Sequence, residues 1–218
     1  TPLYSSAASD VYKRQVIAMR SLTLTLPVLL LAGFAGAAQA AGSEDPDWPC
    51  IQRLVPRITA AQVWAGPEPG PEAGRGDLEV SRLASKLAAR RTALSDAEKL
   101  VEAFAEAQPK EAMNEKLTAL FGRSLQIINR DRASIIAGIK RFSQRQSALA
   151  QRIRETRAQL QQTGDAETDS SDLMELLTWD LRIFDEREKS LTYLCEQPVL
   201  LEQRAFALGR TIYFFVED

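Results

Sequence analysis

Residues 123–161 read RSLQIINRDRASIIAGIKRFSQRQSALAQRIRETRAQLQ, and this stretch decides the fold. One set of positions alternates by three and four residues along its whole length. The set is Leu125, Ile128, Arg132, Ile135, Ile139, Phe142, Gln146, Leu149, Ile153, Thr156 and Leu160. Such spacing is typical of a helix that packs along its entire length. The pattern therefore predicts a single helical rod of roughly 60 Å, at about 1.5 Å per residue.

A second seam with the same spacing follows a short polar segment. Residues 164–171 (GDAETDSS) end the first pattern, and the second runs through Met174, Leu177, Leu181, Phe184, Glu188, Leu191 and Cys195. Two long helices joined by a short connection pack as an antiparallel hairpin. A parallel oligomeric coiled coil is the alternative that this pattern leaves open.

The polar positions of the two seams suggest a register. If facing residues sum to about 334, Arg132 faces Glu202 and Gln146 faces Glu188, while apolar residues face apolar ones. Buried polar groups are costly unless they are paired. The agreement favours the hairpin, with these two polar pairs inside it.

The first 40 residues have the features of two removable segments. Residues 9–15 (SDVYKRQ) resemble the translation of a transposon end used in preparing sequencing libraries, so we expect residues 1–18 to be an artefact. From Met19, a basic residue, an apolar run and the small-residue site Ala38-Gln39-Ala40 follow in order. That order is typical of a secretory signal peptide, here residues 19–40. An uncleaved membrane anchor is the alternative, but the run is diluted by glycine and alanine.

Residues 41–76 predict an irregular N-terminal segment and a linker rich in proline and glycine. Within it, the stretches 47–50 (DWPC), 52–53 (QR), 55–56 (VP) and 64–67 (WAGP) resemble the start of uncharacterised exported bacterial proteins. The resemblance covers about 20 residues and implies no activity. We expect Trp48 and Trp64 to hold this segment against the helices.

Residues 77–218 form the predicted helical domain. Its first part, residues 77–108, shows shorter amphipathic helices that we expect near the base of the hairpin. Pro198 removes one helical hydrogen bond, which predicts a kink or a break. Beyond it the chain turns apolar at Tyr213, Phe214 and Phe215, which predicts burial in the bundle, with docking to a partner as the alternative. Trp179 lies outside the seam and faces either the N-terminal helices or a partner.

Cys50 and Cys195 are the two cysteines of the chain. An even number of cysteines in an exported protein indicates a disulfide. The bond would tie the irregular segment to the hairpin. The fold class expected from all these features is all-α: a bundle built on a long antiparallel hairpin, with a disulfide-tied N-terminal segment.

The composition excludes several classes of function. The chain has no histidine, which removes the commonest general base and most zinc, copper and non-haem iron sites. Without residues 1–40 the net charge is −4, so we expect no nucleic-acid partner. The acidic run at 165–169 lacks the glycine and glutamate that a helix–loop–helix calcium site requires. We therefore expect neither catalysis nor a cofactor or metal.

These observations favour a periplasmic or secreted scaffold that offers a helical rod to a protein partner. The main alternative is a binding module: a holdase-like chaperone, or a carrier that holds apolar ligands between helices. After cleavage of the signal we expect no stable membrane anchor. The sequence leaves open whether the chain also forms a homo-oligomer.

Overall fold

The computed structural model describes residues 45–163 and 167–216, which contain five helices and no strand. The helices are α1 (Ala60–Val63), α2 (Leu78–Ala88), α3 (Leu94–Glu106), α4 (Lys110–Thr163) and α5 (Glu167–Tyr213). The all-α fold and its long antiparallel hairpin are thus confirmed. The predicted library artefact and signal peptide lie outside the described residues, as do positions 164–166. The polar connection predicted at 164–171 is too long, because α5 begins at Glu167. None of the described helices is both long and apolar enough to span a membrane.

The hairpin consists of α4 and α5, which pack against each other along their length. With 54 residues, α4 extends for about 80 Å. The three-and-four spacing brings one stripe of side chains into the seam, where Ile128, Ile139, Leu149 and Ile153 are buried. The break predicted at Pro198 is wrong, because α5 continues through it. Packing on both sides of Pro198 compensates for the single backbone hydrogen bond that proline cannot donate.

Helices α2 and α3 cover one side of the hairpin at its base, as the sequence predicted. Together with α4 and α5 they enclose the main core, whose most buried members are Val80, Leu87, Val101, Leu117, Leu120, Phe121, Leu208 and Ile212. Two polar contacts hold the ends of α2. The Asp77 carboxylate accepts from the amide of Val80 at 3.0 Å, and the Arg204 Nε donates to the carbonyl of Leu87 at 2.6 Å. A cation at this last turn satisfies a free carbonyl and complements the helix dipole.

Residues 45–66, which we call the strap, run along the opposite side of the hairpin. Trp48 and Cys50 pack on Ile139 and Cys195, and further along, Trp64 stacks on Phe121 with ring centroids 4.3 Å apart. Both tryptophans are buried, as expected from the sequence. The strap therefore contributes apolar side chains to two separate parts of the core.

A single amide side chain holds the middle of the strap. The Ile58 amide donates to Oδ1 of Asn129 at 2.9 Å, and Nδ2 of Asn129 donates back to the Ile58 carbonyl at 2.8 Å. Both residues are buried. Asn129 thus satisfies both backbone groups of Ile58, a residue that lies outside any helix.

The predicted disulfide between Cys50 and Cys195 is present, with Cα atoms 5.6 Å apart. It joins residues 145 positions apart and attaches the strap to α5, three residues before Pro198. Disulfides form and persist in oxidising environments. The bond therefore indicates that the chain folds in such an environment.

Candidate protein-docking surface

Arg132 is a buried cation in the seam. Its Nη2 lies 3.8 Å from Oε2 of Glu202, the predicted partner, and its Nε donates to the carbonyl of Pro198 at 3.1 Å. Burial lowers the pKa of Arg132, and the charge of Glu202 opposes that effect. The Glu202 side chain is about half exposed. The backbone carbonyl, rather than the carboxylate, is thus the nearer partner of this guanidinium.

Gln146 has a different partner from the one that the sequence suggested. Its Nε2 donates to the backbone carbonyl of Phe184 at 2.9 Å, whereas Glu188 is exposed. The contact places Gln146 opposite a residue one helical turn before Glu188. The amide nitrogen of Gln146 thus donates to a backbone carbonyl in place of the expected side chain of Glu188, and its Oε1 is buried without a hydrogen-bond partner.

An ion pair that the sequence reasoning missed fixes the hairpin further out. Nε of Arg152 donates to Oδ2 of Asp180 at 2.6 Å, and its Nη2 contacts the other carboxylate oxygen. This hydrogen bonding raises the pKa of Arg152. The Asp180 side chain is only 3% exposed, whereas Arg152 is half exposed. Neither residue belongs to the seam pattern, although their numbers sum to 332, close to the predicted register.

The outer part of the hairpin extends beyond the strap. The strap's outermost contacts are the ion pair of Asp45 with Lys140 and the 2.7 Å hydrogen bond from Gln144 to Asp47. Beyond this level we define the distal arm, residues 145–163 and 167–190. Its buried side chains, Leu149, Ile153, Thr156 and Asp180, all belong to α4 and α5. In the described part of the chain, α4 and α5 alone thus form this arm.

Trp179 lies on the distal arm and is 55% exposed. The guanidinium carbon of Arg182 lies 6.0 Å from its ring centroid. The expectation that Trp179 packs against the N-terminal helices is wrong, because α2 and α3 cover only the base of the hairpin. The exposed indole remains as a candidate docking residue.

Trp179 is part of a continuous row that we call the outer stripe. The stripe again alternates by three and four residues: Leu176, Trp179, Ile183, Glu186, Ser190 and Tyr193. Leu176, Trp179 and Tyr193 are exposed, and Ile183 is half-buried. Exposed large apolar side chains that lie along one line indicate an interaction surface.

The same line of α5 is covered at the base of the bundle. Residues seven apart on a packed helix share a face, so Leu176, Ile183 and Ser190 are aligned with Gln197 and Arg204. At the base, Gln197 accepts a hydrogen bond from Arg90, and Arg204 donates to α2. The α2–α3 region thus covers this face of α5 at Arg204 and reaches Gln197 through Arg90, whereas Leu200 beside them is 45% exposed and the outer stripe continues above.

The predicted C-terminal aromatic residues divide into two groups. Phe215 and Val216 pack against the main core, as the burial hypothesis expected. Tyr213 is 37% exposed and meets the edge of Trp64, and Phe214 is 82% exposed. The C-terminus therefore closes the base of the bundle and leaves one phenylalanine in solvent.

The clefts among the described residues are shallow and partly charged. One cleft, of about 620 Å³, lies between the proline- and glycine-rich segment and α4. Its lining includes Glu68, Glu72 and Glu115, together with the ion pair of Lys116 with Asp77. A smaller cleft of about 310 Å³ lies beside Trp64 and Tyr213. A site for an apolar ligand is usually a deep pocket lined mostly by apolar groups, and the large cleft differs from that description.

The chain matches no protein-family model, no curated protein and no solved structure.

Proposed function

We propose that this protein is a non-catalytic, extracytoplasmic scaffold that receives a protein partner on the outer stripe of its distal arm. The base of the bundle serves to anchor and orient the hairpin. Two elements, the strap and the α2–α3 pair, brace that base, so the distal arm projects as a stiff extension.

One observation carries the proposal: Trp179 is 55% exposed on a helix face that other elements cover at the base. Tryptophan is enriched among the residues that dominate binding energy. Burying the remaining half of an indole removes on the order of 100 Å² from water, which is about 2–3 kcal/mol. Leu176 and Ile183, one turn on either side, extend the same apolar surface.

The alternative of an apolar-ligand carrier has less support. A carrier requires an apolar cavity, and the cleft of about 620 Å³ is lined by several carboxylates. A holdase would also use exposed apolar side chains, but it needs no ordered row of them. The regular spacing of the outer stripe favours an ordered helical partner.

The placement in the periplasm or outside the cell is part of the same proposal. It is supported by the disulfide of the mature chain and by the signal-like order of residues 19–40. Export in a bacterium would give the oxidising compartment that the cysteine pair needs.

Site-specific photo-cross-linking in the intact envelope tests the proposal. A photoreactive amino acid at position 179 should yield a discrete cross-linked species. The matched control is position 178, because Thr178 is exposed on the same turn but points away from the stripe. Equal cross-linking at both positions, or none at position 179, would contradict a docking role for the stripe.

A further inference from the structure

We propose that the partner of the outer stripe is a second copy of this chain, packed antiparallel to the first. This inference rests on the proposed function, because it names the occupant of the same surface. It is carried by a property of the stripe that a different partner would not require: the stripe is complementary to itself.

The stripe continues at Gln197 and Leu200. In an antiparallel pair of stripes, like residues face each other when the residue numbers of facing positions add up to 376. Leu176 then meets Leu200, and Ile183 meets Tyr193. The polar positions also meet each other, since Glu186 faces Ser190. Trp179 packs over the aliphatic part of Gln197. The two-fold axis lies near residue 188, and each residue pair occurs twice, as an isologous interface requires.

The charges beside the stripe fit the same register. Arg182 and Glu196 flank it on one edge and lie opposite each other across the axis, which forms two identical ion pairs. Lys189 meets its own copy near the axis, where its long stem lets the ammonium turn toward water. Interfaces of this kind gain orientation and register from such flanking charges.

The base of one copy also complements the distal arm of the other. Arg90 is placed beside Gln197 by its hydrogen bond, and Arg91 follows it in the α2–α3 turn. In the antiparallel register, this basic turn lies next to the partner's first turns of α5. Those turns carry the exposed carboxylates of Asp172 and Glu175. Opposite charges thus meet at both ends of the interface.

A parallel pairing fits much less well. It would place Glu186 against its own copy and would bring the two bases to the same level. The basic turns at Arg90 and Arg91 of the two copies would then lie at the same level, away from the carboxylates of Asp172 and Glu175. The antiparallel pairing keeps the bases at opposite ends, and the stripes overlap over about 36 Å.

The first test measures the mass of the purified, oxidised protein in solution by sedimentation equilibrium and light scattering. We expect a concentration-dependent dimer. Trp179→Glu should raise its dissociation constant about thirtyfold or more, as for a central anchor residue. Thr178→Glu is the matched control, because Thr178 is exposed next to Trp179 but belongs to neither the seam nor the outer stripe. A monomer at every concentration, or equal effects of both substitutions, would overturn the inference.

The second test examines the register. Arg182→Glu should weaken the dimer, and adding Glu196→Arg should restore it to within about threefold of the starting affinity. Circular dichroism of each variant checks that the surface changes leave the fold intact. Strictly additive losses would refute the antiparallel register.

The two proposals can fail separately. A cross-link from position 179 with twice the mass of the chain supports the second copy. A cross-link to a different protein, combined with a monomer in solution, overturns this inference and leaves the proposed function standing. A monomer without a cross-link at position 179 contradicts both.

Discussion

Replacing Gly209 with alanine tests how closely the strap is packed against α5. A Cβ at Gly209 would lie 2.0 Å from the carbonyl oxygen of Val63, whereas real Cβ contacts essentially never fall below 3.0 Å. The strap would have to withdraw by at least about 1 Å. Its neighbours resist this movement, because Trp64 is stacked on Phe121 and Ile58 is held by Asn129.

The expected cost follows from these contacts. Overpacking of this kind costs about 1–3 kcal/mol, and partial re-exposure of Val63 and Trp64 adds about 1–2 kcal/mol. Alanine restores about 1 kcal/mol through its higher helix propensity. We therefore expect Gly209→Ala to lower the free energy of unfolding by about 1–4 kcal/mol, and a loss in the middle of that range lowers Tm by about 5–10 °C.

Gly138 offers a matched control within α4. A Cβ there meets only the end of the Arg141 side chain, at 3.9 Å. Gly138→Ala should therefore raise the free energy of unfolding by up to about 1 kcal/mol. Calorimetry and chemical denaturation of both variants measure whether each substitution raises or lowers the free energy of unfolding. If Gly209→Ala proves as stable as the unsubstituted protein, the strap does not pack as described.

Three further predictions concern polar contacts. Asn129→Leu should cost about 2–5 kcal/mol, because it leaves the buried amide and carbonyl of Ile58 without partners. As a control in the same denaturation assay, Gln144→Leu removes an exposed bond to Asp47 and should cost less than about 0.5 kcal/mol. Arg132→Glu should lower the free energy of unfolding by about 3–5 kcal/mol, because it buries an uncompensated carboxylate. Adding Glu202→Arg should recover less than about 1 kcal/mol, because the main partner of Arg132 is the carbonyl of Pro198. Full recovery would instead show that the carboxylate of Glu202 is the dominant partner. The ion pair with Lys140 holds the pKa of Asp45 below the ordinary 3.8, and the ion pair with Lys116 does the same for Asp77. The stabilisation of the fold by these two pairs is therefore complete above pH 3.8 and is lost as the pH falls through the lowered pKa values. The double variant Lys116→Gln with Lys140→Gln should therefore flatten the dependence of unfolding free energy on pH below about pH 4, and an unchanged slope would count against these pairs.

The polar contacts of the hairpin show where sequence reasoning reached its limit. The seam spacing predicted which faces of α4 and α5 meet, and the register was correct to within about one turn. It did not predict the individual partners, because backbone carbonyls near Phe184 and Pro198 compete with side chains for the same donors. The pairing of Arg152 with Asp180 was missed, since neither residue occupies a seam position.

The surface of the distal arm shows a second limit. Trp179 was identified from its position outside the seam, but its environment depended on how far α2, α3 and the strap extend along the hairpin. The outer stripe has the same spacing as a buried seam. A sequence pattern alone therefore does not distinguish a face that is covered by the chain from one that is left exposed.

The amino-acid sequence by itself determined the helical class, and it favoured the hairpin and the cysteine pair over their alternatives, because each depends on local periodicity or on the count of a residue type. Only the tertiary structure decided that the strap lies on one side of the hairpin and the α2–α3 pair on the other. It also decided that Asn129 and Gly209 receive the strap and that the outer stripe stays in solvent. These features arise from contacts between residues far apart in the chain, such as Ile58 with Asn129, and the positions of such contacts are set by the packing of whole elements rather than by any local pattern.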